Sequence, residues 1–346
     1  MAKLMMAGKH RSGRKWPGCA IIALLIVIAI CALSGLQRPQ LMLYALATSA
    51  GPTAVTDWKW MVLHSRAGDG RKNITLIGSS QISEAVNSLD LGKLLPKAKI
   101  NRFTAPGFGI LQYQMSVPEL LKEKPDIVVC WLSEFDTFRE DRLPVNRLRY
   151  TSTLVGVGQL ATMMEKRAVW DNRSQLADLT TSSLLPLWRD RDLIKNIVLG
   201  KDKAAGEEEQ TGPRAAIAGH IRRLENTIHR SALVDLNFAS FERFAQAMHH
   251  QHIELYLFEG VTNPLAMQRY DPDSRFRRET RVRFERMAHE IGFYYIPAEH
   301  MPQFGQRDFA DATHLNHTAS EHFTRYLAGY LSHSAVDLHR EQSREN

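Results

Sequence analysis

After residue 70 the chain is punctuated by short runs rich in apolar residues. These are Ile74–Ile77, stopped by Gly78, then Asp126–Leu132, Ile253–Phe258 and Phe293–Ile296, with the more polar Lys99–Phe103 as a fifth. Each is too short for a typical helix. Together they lack the strict alternation of a sheet with one face in water, so they read as strands buried on both faces. Helical stretches separate them: one beginning at Ser83–Val86, then Pro118–Lys124, Val155–Lys166, Leu193–Leu199, Phe241–His250, Arg275–Ile291 and Ala319–Leu331. The run GEEEQTG within Lys201–Pro213 reads as a solvated loop. Strands alternating with helices predict an α/β fold, a three-layer α/β/α arrangement around a mainly parallel sheet. The predicted domain covers 71–334, with a helical insertion at about 137–219 and a polar tail at 335–346.

The first seventy residues follow a different pattern. From Trp16 to Gln37 there is no charged residue, and Ala20–Leu33 reads AIIALLIVIAICAL. About twenty apolar residues span the ~30 Å core of a bilayer. Five basic residues, Lys3, Lys9, Arg11, Arg14 and Lys15, precede the run and no acid accompanies them. Basic residues stay on the cytoplasmic side. The expectation is therefore a cytoplasmic tail at 1–15, one transmembrane helix at 16–37, a connector at 38–70 and an extracytoplasmic body facing the periplasm. A cleaved signal peptide is the rival reading, since Ala45–Leu46–Ala47 has the small-x-small pattern, but it lies far beyond the apolar run.

Charge and composition narrow the choice of function. The 346 residues are 44% hydrophobic and 23% charged, which fits an ordinary folded protein. The formal charge of +7 falls to +2 without the five N-terminal cations, so the body is nearly neutral and a nucleic-acid partner is not expected. Cys19 and Cys31 lie in the apolar run, leaving Cys130 alone in the body, where it reads as a small buried hydrophobe. His314 and His317 lack a third ligand at a familiar spacing, so no metal and no cofactor are expected. His249, His250 and His252 read as a solvated helix end, and the basic stretch Arg275–Arg283 as a solvated face or a contact for anionic headgroups or glycan.

Two short motifs carry candidate chemistry. Gly78-Ser79-Ser80 closes the first strand, where glycine permits a tight turn into a helix and ligands collect in such folds. Asp311-Ala312-Thr313-His314-Leu315 precedes the last helix. A hydroxyl nucleophile needs a base, and the base needs an orienting carboxylate. Taken singly, each motif is equally a helix cap in a polar loop.

Taken together, G-x-S after the first strand and D-x-x-H before the last helix resemble the SGNH/GDSL hydrolase superfamily. The likeness is closest to its DltD branch, membrane-anchored proteins of D-alanyl transfer to teichoic acids. Gly78-Ser79-Ser80 looks like that branch's G-S-S, Ser240–Pro264 is similar in its helix, strand and turn, and Asp311–Leu315 resembles D-x-x-H-L. The resemblance covers most of 70–330 in order and is specific at the two end motifs. It implies Ser80 as nucleophile, His314 as base and Asp311 as its orienter, with the backbone N–H of Ser80 and of Gly107 or Gly109 at the oxyanion and Ser133 and Asn263 as further oxyanion or substrate contacts. It implies an acyltransferase or esterase acting on an envelope glycan or teichoic-acid-like polymer, with an acyl donor and a multi-pass membrane acyltransferase as partners. The superfamily's G-x-N-D block is absent: the third strand runs into Ser133-Glu134. That departure keeps open a second reading, a module that binds glycan or recruits an acyltransferase without catalysis.

Overall fold

The computed structural model describes residues 71–105, 107–138, 141–191, 219, 221–222 and 232–342. The expected tail, transmembrane helix and connector lie outside these residues, as do the stretches Leu193–Leu199 and Lys201–Pro213. Among the described residues no helix is long and apolar enough to cross a membrane.

Five strands, β1 (Lys72–Gly78), β2 (Ala98–Thr104), β3 (Ile127–Leu132), β4 (Glu254–Glu259) and β5 (Tyr294–Ile296), form one sheet in the order β2-β1-β3-β4-β5. Every pairing is parallel. The fold is thus α/β with a parallel sheet. Chain order reverses at β1, so its carboxyl end, flanked by β2 and β3, opens at the switch point where such sheets leave a crevice.

Among the described residues thirteen α-helices follow in chain order. They are α1 (Ser80–Ala85), α2 (Ser88–Leu94), α3 (Ile110–Lys122), α4 (Glu134–Thr137), α5 (Val145–Leu148), α6 (Leu154–Met163), α7 (Lys166–Asp171), α8 (Arg173–Leu184), α9 (Pro186–Arg189), α10 (Val234–His250), α11 (Pro264–Tyr270), α12 (Arg275–Ile291) and α13 (His317–Gln342). The period of two along β3 explains the layers. Val128, Cys130 and Leu132 face a cluster with Tyr113 of α3, Phe241 and Phe244 of α10 and Phe284 of α12. Ile127, Val129 and Trp131 face the other side, with Ile82 of α1, Leu91 of α2 and Phe323 and Leu327 of α13. Cys130 is fully buried, and burial pushes its thiol pKa well up.

Several boundaries differ from the sequence reading. The first helix starts at Ser80, because Ser79 caps it. α3 starts at Ile110, eight residues before the expected Pro118, which lies inside the helix. A proline costs least in a first turn, which is why it suggests a start; here the Gln112 side chain, accepting from the Gly109 N–H at 2.8 Å, marks the start. α13 runs to Gln342, beyond the expected Leu331. The helices between α4 and α9 carry a small cluster of their own, in which Leu148, Val157, Leu160 and Leu179 pack on Leu111 and Met115 of α3 and on Leu236.

Candidate active site

Gly78 makes the turn that presents the serines. Its φ is +146°, which side-chain-bearing residues rarely adopt. A Cβ there would lie 2.7 Å from the Tyr113 hydroxyl and 3.0 Å from Ile82 Cγ2. Tyr113 donates that hydroxyl to the Ile77 carbonyl at 3.2 Å, so the wall against Gly78 is fixed. The three serines that follow take different roles. Ser79 is buried, and its Oγ accepts from the Gln81 N–H at 3.3 Å. Ser83 is engaged by the Arg102 guanidinium through both its hydroxyl and its carbonyl. Ser80, first residue of α1, is only half-buried, and its N–H has no partner among the described residues.

The opposite half of the site is a folded-back loop before α13. Phe309 and Leu315 pair across it in an antiparallel bridge, and the Ala310 N–H donates to the His314 carbonyl at 2.9 Å. Phe309, Ala312 and Leu315 are buried and pin the loop to the core. Asp311 organises its polar side. One carboxylate oxygen accepts from the N–H groups of Thr313 and His314 at 2.8 and 2.9 Å, and the other lies 2.7 Å from His314 Nδ1. Asp311 therefore fixes its own loop and the imidazole together. The carboxylate at Nδ1 favours the tautomer with hydrogen there and leaves Nε2 as acceptor. Nε2 lies 2.8 Å from Ser80 Oγ. The structure thus brings Ser80, His314 and Asp311 into one hydrogen-bonded line.

Electrostatics favour the protonated ring. Burial opposes charge on His314, but the hydrogen bond and negative charge of Asp311, with Glu84 as a lesser contributor, outweigh it and raise the pKa above its ordinary value. Glu84, four residues after Ser80 on α1, places Oε1 4.0 Å from His314 Nε2 and is half exposed. Its i+4 spacing from Ser80 was visible in the sequence, but only the fold shows that this face of α1 meets His314.

Three of the residues expected at the oxyanion have their donors engaged within the protein. The Gly109 N–H donates to Gln112 Oε1 at 2.8 Å as part of the α3 cap. Ser133 is buried and gives both its N–H and its hydroxyl to Asp136, at 3.0 and 3.1 Å, to cap α4. Asn263 is buried and acts as a brace. Its N–H donates to the Ala312 carbonyl at 3.0 Å, its Nδ2 to the Asp311 carbonyl at 3.4 Å, and its Oδ1 caps α11 at Leu265. Helix capping engages the donors of Gly109 and Ser133, and the loop before α13 those of Asn263. Gly107 adopts φ +71°, and a Cβ on it would lie 3.1 Å from Arg147 Nε, so this loop passes directly under a guanidinium. Among the described residues the Ser80 N–H has no partner and stands open at the turn into α1.

Behind the site two buried carboxylates close β3 and β4. Glu134 is fully buried. Burial raises its pKa against the hydrogen bond that Tyr270 donates to it, and Thr262 donates to the same oxygen at 3.4 Å. Glu259 is paired with Arg277 and Arg281. In the sequence Glu134 stands out only as part of the departure from G-x-N-D, and Glu259 is one acid at the end of an apolar run. Among the described residues no group of three or more His, Cys, Asp or Glu is placed to hold a metal ion.

A scan against protein-family models and a search of curated proteins each find no match. Among solved structures the chain is similar to one from Bacteroides fragilis described as a "putative acylhydrolase". The two share 9% identity over 80% of this chain and 95% of that one, with a TM-score of 0.43. A likeness that distant carries no argument about chemistry, so the reading of the site rests on its own geometry.

Proposed function

We propose that this chain is a serine enzyme of acyl transfer, an esterase or O-acyltransferase, in which Ser80 is the nucleophile, His314 the general base and Asp311 its orienter. The observation that carries this is the continuous line Ser80 Oγ–His314–Asp311, with contacts of 2.8 and 2.7 Å. Neutral His314 takes the Ser80 proton as Oγ attacks an acyl carbonyl. The Ser80 N–H donates to the developing oxyanion. The tetrahedral intermediate collapses to an acyl-serine ester, and the leaving alcohol departs with the proton from His314. A second hydroxyl, from water or a glycan, then enters with His314 as base and releases Ser80. No cofactor is required for these steps.

We further propose that the chain belongs with the SGNH-like hydrolases, and that its acceptor is a hydroxyl of an envelope glycan or teichoic-acid-like polymer. The motif resemblance and the uncharged run 16–37 after a basic tail support this finer reading, with the body in the periplasm and a multi-pass membrane acyltransferase as the supplier of acyl groups. The non-catalytic alternative rested on the missing oxyanion Asn; the unpaired Ser80 N–H and the assembled line of three weigh against it.

The deciding experiment is covalent labelling of the full chain by a fluorophosphonate. Wild type should label at Ser80 and Ser80→Ala should not. Asp311→Asn should slow labelling by about 10²–10⁴-fold, since the imidazole loses its orienting partner. A wild-type chain that stays unlabelled under conditions where it is folded would reject the enzyme reading.

A further inference from the structure

A cavity of about 640 Å³ opens beyond the carboxyl ends of β4 and β5 and takes no part in the steps above. That volume lies within the range of small-molecule sites. Its wall includes Thr262, Gln268, Arg277, Arg278, Arg281 and Phe304. The arginines come from the basic stretch at the start of α12, which the sequence alone marks as a solvated face or an anion contact.

The wall is built from behind. Glu259, the last residue of β4, is 2% exposed and accepts from Arg277 Nε at 2.7 Å and Arg281 Nη2 at 2.8 Å. The Ala298 N–H donates to it as well, at 2.9 Å. Arg281 also gives Nη1 to Glu299 at 2.9 Å, so its fork is spent. Arg277 is held only through Nε, and its two terminal nitrogens have no partner among the described residues. Arg278 gives one terminal nitrogen to the Asp273 carbonyl, and its other has none. The third carboxylate of the wall, Asp271, is buried and accepts the N–H groups of Arg275, Phe276 and Arg277. The carboxylates of this wall are therefore occupied by the protein, while guanidinium donors from Arg277 and Arg278 stand open on a rigid base. A fixed guanidinium fork matches a carboxylate or phosphate. Gln268, Gln303 and Thr262 beside Phe304 make a wall too polar for an acyl chain and suited to sugar hydroxyls with one apolar face. Thr262 of the wall directly precedes Asn263, whose bonds hold Asp311 and Ala312 of the loop that carries His314.

We propose that this cavity binds an oxyanion group, carboxylate or phosphate, carried on a carbohydrate, with Arg277 and Arg278 as its donors. As the seat of an acyl acceptor this rests on the acyl-transfer reading; as a binding site it stands separately.

The test is calorimetric titration of the full chain with trigalacturonate, glucose 6-phosphate, neutral maltotriose, and glycerophosphoglycerol as the soluble form of a lipid headgroup. The expected result is saturable binding of the two anionic sugars in competition with each other, at least about tenfold tighter than maltotriose. Arg277→Gln and Arg278→Gln should each weaken it about tenfold. Arg278 is exposed and bonds only to a backbone carbonyl, so its variant tests the site without disturbing Glu259. Equal binding of maltotriose, binding of glycerophosphoglycerol alone, or affinity unchanged in both arginine variants would overturn the proposal. Anionic-sugar binding by a wild-type chain that a fluorophosphonate does not label would keep the site and reject the enzyme reading. Labelling without binding would do the reverse.

Discussion

At the scale of single residues, the site is governed by what faces each edge of one imidazole. Asp311 at Nδ1 and Glu84 near Nε2 both favour the charged ring, and they outweigh burial. Only the neutral ring accepts the Ser80 proton, so the rate of Ser80 labelling should rise with pH through a midpoint above the ordinary histidine value of about 6.5. Glu84→Gln removes one negative charge from the Nε2 side. Its midpoint should fall relative to wild type, with the plateau rate at high pH nearly kept, because Glu84 is half exposed and its Coulomb effect is screened. A pH–rate profile of the two proteins checks both statements; a midpoint that rises in Glu84→Gln would contradict the assignment.

At the scale of elements, the β1–α1 turn concentrates the constraint. Gly78→Ala would need a positive φ and a Cβ inside contact distance of Tyr113 and Ile82. The expected cost is about 2–4 kcal/mol, with a loss of Ser80 labelling greater than stability alone explains, because relief of the clash rotates the start of α1. Urea denaturation and labelling on the same variant give the two numbers. This scale also shows what a sequence reader can and cannot see. The central strands were legible because a run such as Ile127–Leu132, apolar at every position, has few homes other than a sheet covered on both faces. The Ser80, Asp311 and His314 set was legible because each lies at an element end with its motif intact. The partners of the other expected donors were not. Gly109, Ser133 and Asn263 have suitable donors, but each is claimed by a neighbour three positions away or by a distant loop, and spacing alone does not reveal that claim. The start of α3 was missed for a related reason: the glycine that begins it caps through Gln112, whereas Pro118 advertises a start that the helix does not use.

At the scale of the whole molecule, β4 ends in a carboxylate that joins three elements. Glu259 ties α12 through Arg277 and Arg281 to β5 and the segment after it through Tyr295 and Ala298. Glu259→Gln leaves Arg277 without its paired carboxylate and Arg281 with Glu299 alone. The penalty should be about 2–3 kcal/mol, below that of a fully buried pair, because the arginines keep 29% and 27% of their side-chain surface exposed. A lower urea midpoint at unchanged slope is the expected signature. The membrane expectation is tested at the same scale. A reporter active only outside the cytoplasm, joined after Asn346, should be active, and activity of a cytoplasm-only reporter at that position would reverse the proposed orientation.

Ser80 and His314 stand 234 positions apart in the chain and 2.8 Å apart in space. The proposed nucleophile emerges with the first strand of the sheet, while its base arrives in the loop just ahead of the helix that closes one face of the sheet. During synthesis the serine therefore waits, chemically inert, until that final segment docks. An incomplete or nicked chain holds a hydroxyl no more reactive than that of any surface serine. Contacts of such long range also form late in folding. Labelling of Ser80 consequently doubles as a clock for completion of the fold, and co-translational pulse labelling should find reactivity appearing in one step near the end of the chain, with no gradual rise before it.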